Sequence, residues 1–226
     1  MSSLDACIFM ALAMSGLASA DWREHSACMK ASPINSSCAV SVALSIPMLN
    51  FSSPEWCESD FRWFLIQDGK YLASYKAAVA ERVVSMCADM LPEVVSLVRA
   101  KLLFDFNATQ YQERFALPQL DASAPSTIFS AYIQHYHDQQ TCEALVSAAL
   151  PCLCLWPAVI SKLTPRTPLQ KAFVDDNASS GSTCKKLLGL LGDKIHADDF
   201  DTSMLLELDF FAHKHPTETC QRHQEL

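Results

Sequence analysis

Asp68, Cys152 and Glu207 are the side chains of this 226-residue chain whose types and spacing could do chemistry. Between Phe61 and Tyr75, the residues Phe61, Phe64, Leu65, Asp68, Tyr71, Leu72 and Tyr75 recur at helical spacing, so a carboxylate stands where six neighbours suit a core. Burying an unpartnered carboxylate costs several kcal/mol or drives its pKa upward, and a fold tolerates that chiefly where the group binds or reacts. Glu207 repeats the pattern among Phe200, Met204, Leu208 and Phe211, and Cys152 stands near the centre of a stripe of Leu145, Ala148, Ala149, Leu155, Trp156 and Val159. Tyr132 shares a face with Ile128, Phe129 and Tyr136. A kink at Pro151 is expected to free backbone polar groups around Cys152 and lower its pKa toward the thiolate. A thiolate with two carboxylates and a tyrosine hydroxyl nearby makes a set for nucleophilic catalysis with general acid/base help. Each residue also has a plainer reading: Asp68 at the wet edge of its stripe, Cys152 as a small core filler.

These groups need helices to present them. Helical periodicity runs through most of the chain, and no alternating pattern or Asn-Gly or Asp-Gly turn marks a hairpin, so the expected class is all-α, with a pocket inside a single-domain helical bundle. A first helix is expected over about 21–31 and a second piece over Ser37 to Ser45. Ser52-Ser53-Pro54-Glu55 reads as the start of a long helix reaching about 89, and Leu91-Pro92-Glu93 as the start of another reaching about 105. Residues 117–126 read as a loop, 140–163 as a helix kinked by Pro151, 164–168 and 175–183 as linkers, and 199–214 as a last amphipathic helix. The domain is expected over 21–215, between an N-terminal extension (1–20) and a polar tail (216–226).

A net charge of −8 and no basic stripe argue against nucleic acid as a partner. Only the first twenty residues resemble an apolar run long enough for a bilayer; they end in Ala18-Ser19-Ala20, like a signal-peptidase site, yet carry Asp5 and no Lys or Arg. The readings are a secretory leader, leaving no membrane span in the mature form, or a hydrophobic N-terminal helix. All four asparagines (Asn35, Asn50, Asn107, Asn177) stand in Asn-x-Ser/Thr sequons. The ten cysteines show no zinc spacing, and buried free thiols are the default expectation for most of them. His135, His137, His213 and His215 form pairs two apart, poorly placed for one helical face, and no metal is expected.

Gln67-Asp68 with Tyr71-Leu72 after a Phe-Arg opening, then Tyr132, Pro151-Cys152 and a late Glu207, together resemble the TenA/thiaminase II family, in its cysteine-dependent branch. The resemblance covers roughly 21–215. It implies a haem-oxygenase-like bundle without haem or other cofactor, usually a cytoplasmic homotetramer. The implied activity serves thiamin salvage: hydrolysis at the exocyclic methylene of 4-amino-5-aminomethyl-2-methylpyrimidine, or of thiamin, giving hydroxymethylpyrimidine. In that scheme Cys152 attacks the ring, Glu207 binds its polar edge and moves protons, Asp68 bonds a ring nitrogen or the 4-amino group, and Tyr71 and Tyr132 position the ring. Phe64 and Trp156 are candidate aromatic walls, with core packing the simpler reading. The chain departs from the family after Cys152, where Phe173 to Ala178 holds no supporting tyrosine. That departure motivates an alternative, a helical protein that binds a pyrimidine or thiamin without turnover. A third reading is a secreted, disulfide-rich helical protein in which a bonded Cys152 excludes thiolate chemistry.

Overall fold

The computed structural model describes residues 36–212 except 55, 103–105, 122, 124–125, 127 and 179–180. The expected first helix, the N-terminal extension and the polar tail lie outside the described residues. Those described are helical, with no strand among them: α1 (Ser36–Ser45), α2 (Glu58–Tyr75), a π-helical turn (Lys76–Ala80), α3 (Glu81–Met86), α4 (Pro92–Lys101), α5 (Ala108–Phe115), α6 (Ser130–Asp138), α7 (Cys142–Ile160), α8 (Pro168–Asn177), α9 (Gly181–Leu191), a 3₁₀ turn (Gly192–Lys194) and α10 (Ala197–Ala212).

α7 is the central element, and α1, α3, α6, α8, α9 and α10 all pack on it. Thr141 caps its start by accepting from Ala144 N. The helix runs through both Pro151 and Pro157; Pro151 has no N–H to offer the carbonyl of Ser147. α7 is also long and apolar enough to cross a membrane by composition, with mean hydropathy 1.8, a run the sequence reading overlooked; 72% of that window is buried inside the bundle, as in a core helix.

α2 begins at Glu58 rather than at the expected Pro54–Glu55. Trp56 N closes a turn on Ser53 O, which lets the Trp56 ring meet Phe51 and Phe61, and the helical ladder starts only with Phe61 N on Cys57 O. The long helix then continues through the π turn to Met86, short of the expected 89. Phe61, Phe64, Leu65, Tyr71 and Tyr75 of its stripe are buried, contributing roughly 2–3 kcal/mol for each large apolar side chain.

Three helices were not anticipated: α5, α8 and α9. α5 is capped by Asn107, which accepts from Gln110 N, and α8 by a Thr167–Gln170 capping box. The linkers expected at 164–168 and 175–183 are correspondingly shorter, since α8 starts at Pro168 and α9 at Gly181.

The expectation of mostly free thiols is overturned. Cys87–Cys142 joins the end of α3 to the start of α7, Cys154–Cys184 joins α7 to α9, and Cys57 is also disulfide-bonded. Among the cysteines whose side chains are described, only Cys152 is free.

Candidate active site

Four helices carry the candidate reactive groups. α10 points Glu207 inward with no exposed surface, from a face shared with Phe200, Met204, Leu208 and Phe211. α7 supplies Cys152, half-buried on the stripe that buries Leu145, Ala148, Ala149, Leu155 and Val159. α2 supplies Asp68 and Tyr71, and α6 adds Tyr132 and Tyr136.

The phenols form a stack. The Tyr71 and Tyr132 rings lie nearly parallel with centroids 6.0 Å apart, and Tyr132 packs on Tyr136 at 4.6 Å. The hydroxyls of Tyr71 and Tyr136 are 3.0 Å apart. Arg82 holds this wall in place: it donates to the carbonyls of Tyr136 and of Gln139 (2.7 Å), charge-assisted bonds that close the C-terminal end of α6.

The electrostatics couple the groups. Burial raises the Glu207 pKa from 4.5 to about 8; the Tyr132 hydroxyl and the Cys152 thiol beside it pull it back, and the charge of Asp68 adds to the rise. Neither Glu207 oxygen has a partner in hydrogen-bond geometry, and the Tyr132 hydroxyl has none either. The neighbours thus stand near enough to act electrostatically without satisfying the carboxyl. The Cys152 thiol is pushed well up, first by burial and then by Glu207, while the Tyr71 hydroxyl works the other way. Both groups therefore hold their protons at neutral pH, and the expected lowering of the Cys152 pKa toward the thiolate is overturned, because burial and the Glu207 charge outweigh any backbone groups freed at Pro151. The two carboxyls differ in charge at neutral pH: Glu207, raised to about 8, holds its proton, and Asp68, raised by burial to about 6, is mostly ionised.

Asp68 has a partner the sequence reading missed. Tyr111 of α5 donates to Asp68 Oδ2 at 2.8 Å and lies 3.1 Å from Leu65 O, and this bond keeps the Asp68 pKa from climbing further. Gly69 makes the approach possible, since a Cβ there would stand 2.8 Å from Leu120 Cδ2 and 3.1 Å from the Tyr111 ring. Arg62 fixes the far end of α5, donating to Ala116 O (2.8 Å) and Phe115 O (3.3 Å). Two signals for Tyr111 were in the sequence: Asn107 three residues before Gln110, and the aromatic pair Tyr111 and Phe115 one turn apart.

A cavity of about 470 Å³ opens beside Asp68, lined by Tyr111, Leu72, Phe106, Arg114, Phe173 and Asp176 among others. Arg114 and Asp176 form an ion pair at its wall. Cys152 and Glu207 do not line it. Phe64 is fully buried, surrounded by the rings of Phe61, Trp156, Phe173, Phe210 and Phe211, and it too lies away from the cavity. Trp156 belongs to the same aromatic cluster.

Among the described residues, no histidine joins this site. His135 faces the Asp199 carbonyl and the Gln139 side chain, and burial lowers its pKa; His213 and His215 lie outside the described residues. No group of three or more His, Cys, Asp or Glu that could hold a metal ion occurs among the described residues. In comparisons with protein-family models, curated proteins and solved structures, the chain matches none.

Proposed function

We propose that this chain is a cysteine-dependent aminopyrimidine hydrolase of the TenA/thiaminase II kind, acting in thiamin salvage, with the haem-oxygenase-like arrangement and homotetramer that this reading implies. The observation that supports it most is the grouping of a free thiol with a fully buried carboxyl and a stack of phenols, while the other described cysteines are tied in disulfides. A cysteine kept only to fill space would not need two carboxyls and three tyrosines around it.

The net reaction breaks the exocyclic C–N bond of 4-amino-5-aminomethyl-2-methylpyrimidine, forms a C–O bond to water and releases ammonia. The Cys152 sulfur adds to a ring carbon. Its proton passes to one oxygen of Glu207 as the other oxygen protonates a ring nitrogen, so a carboxyl with a pKa of about 8 serves as a relay between two neutral groups. The ring electrons then return to expel the amine, which takes the proton held by Glu207 and leaves as ammonia. Water adds to the exocyclic carbon and gives its proton to Glu207, and the sulfur departs as the ring regains aromaticity, the ring-nitrogen proton returning through Glu207 to the thiol. Asp68, mostly ionised at neutral pH, accepts a hydrogen bond from the 4-amino group, while the hydroxyls of Tyr71 and Tyr132 stand beside the Cys152 thiol and the Glu207 carboxyl. Tyr111 supplies the supporting phenol that the segment after Cys152 lacks.

A second reading has an observation in its favour. The cavity is lined by Asp68 and Tyr111 and not by Cys152, Glu207, Tyr71 or Tyr132, so a pyrimidine held there would be bound without meeting the thiol. Incubation with aminopyrimidine or thiamin, followed by chromatography, separates the two. Hydroxymethylpyrimidine formed by the wild type and absent with Cys152→Ser supports the hydrolase, and binding without product from either protein supports the alternative.

A further inference from the structure

We propose that Asn107 and Asn50 are N-glycosylation sites and that the chain matures in an oxidising secretory compartment. All four asparagines of the chain lie two residues before a Ser or Thr, more than chance would supply. A sequon matters only if the chain meets the glycosylation machinery, and the disulfides Cys87–Cys142 and Cys154–Cys184 are an independent sign that it does, since such bonds persist in oxidising compartments.

The folded geometry separates the sites. Asn107 is exposed, and its Oδ1 accepts from Gln110 N at 3.0 Å to cap α5, which leaves the Nδ2 amide outside that bond. Asn50 is exposed as well, its Oδ1 accepting from Ser52 N at 3.3 Å. Thr109 and Ser52, the hydroxyl residues of these two sequons, are also exposed. Asn177 differs: it is half-buried and its Nδ2 donates to Phe173 O at 2.9 Å, a bond that a glycan on that nitrogen would break. The modification is installed before the chain closes up, so the folded structure must have room for what it carries. Only Asn107 and Asn50 among the described asparagines meet that condition. Asn107 also lines the cavity beside Asp68, so its glycan would stand at the rim of that opening.

In the transfer, Nδ2 forms a bond to the anomeric carbon of a polyprenyl-diphosphate-linked oligosaccharide. The bond from that carbon to the diphosphate oxygen breaks, one Nδ2 proton leaves, and the polyprenyl diphosphate departs.

The test is expression of the 226-residue chain, with no added leader, in eukaryotic cells, followed by non-reducing peptide mapping after peptide N-glycosidase treatment in ¹⁸O-water. The expected result is ¹⁸O-labelled aspartate at positions 107 and 50, with Cys87–Cys142 recovered as a linked peptide. Thr109→Ala and Ser52→Ala should each remove one glycan; both leave the asparagine and its capping bond in place, so loss of the modification cannot be laid to misfolding. Unmodified Asn107 and Asn50 overturn the proposal, whether the cysteines are recovered oxidised or reduced. Absence at one position strikes that site from it.

Discussion

Glu207→Gln removes the charge that the fold disfavours most, and its consequence is a change in how stability depends on pH. The Glu207 pKa rises from 4.5 to about 8 on folding, so between those values the native state holds a proton that the unfolded chain releases. Stability is therefore full below the lower value and falls by about 1.4 kcal/mol per pH unit as pH climbs through the window. The whole loss is on the order of 5 kcal/mol, of which about 3 kcal/mol has accrued by pH 7. Glutamine is nearly the same shape and does not titrate. Urea unfolding of both proteins at pH 5, 6, 7 and 8 should give a stability difference that moves in favour of the variant by about 3 kcal/mol or more across the series. Titrating groups that do not face Glu207 are common to both proteins and cancel, while the Cys152 thiol, whose pKa the Glu207 charge helps raise, is eased downward in the variant. A difference that stays constant with pH, or one that moves toward the wild type, would refute the claim that an unsatisfied carboxyl is enclosed at this position.

Tyr111→Phe removes the donor that restrains Asp68, so the Asp68 pKa should rise above about 6 and the acidic limb of the pH–rate profile should move to higher pH with it. Gly69→Ala places a methyl against Leu120 and Tyr111 and should break the same bond indirectly; the Asp68 carboxyl, followed by NMR titration, should shift in the same direction as in Tyr111→Phe. Arg82→Ala leaves the carbonyls of Tyr136 and Gln139 without their charged donor and should cost about 2 kcal/mol or more in chemical denaturation. Because the folded Cys152 thiol is kept neutral, iodoacetamide at pH 8 should label it much more slowly in the native protein than in urea, as peptide mapping would show.

The helical stripes could be read directly because burial repeats with the helix period. Glu207 and Asp68 stood out as acids on apolar faces, and both prove to have raised pKa values. The meeting of Cys152 with Glu207 is a tertiary fact that the order of residues along the chain does not encode; the stripes offered each as a candidate on its own face, and the resemblance gave them a common role. The disulfides escaped because ten cysteines allow many pairings and spacing alone does not choose among them. Tyr111 escaped because α5 is short and mostly polar, held by its Asn107 cap and by Arg62 at its far end rather than by a long apolar stripe. Gly69 carries no signal in the sequence; its meaning is the closeness of Tyr111, which only packing reveals.

The most direct test of the account combines two readouts on one variant: calorimetric binding of aminopyrimidine to Cys152→Ser, alongside ammonia release by wild type and variant at neutral pH. The account predicts that the wild type releases ammonia while the variant binds the pyrimidine and releases none. Ammonia release by the variant at the wild-type rate, or a wild type that neither binds the pyrimidine nor releases ammonia, would contradict it.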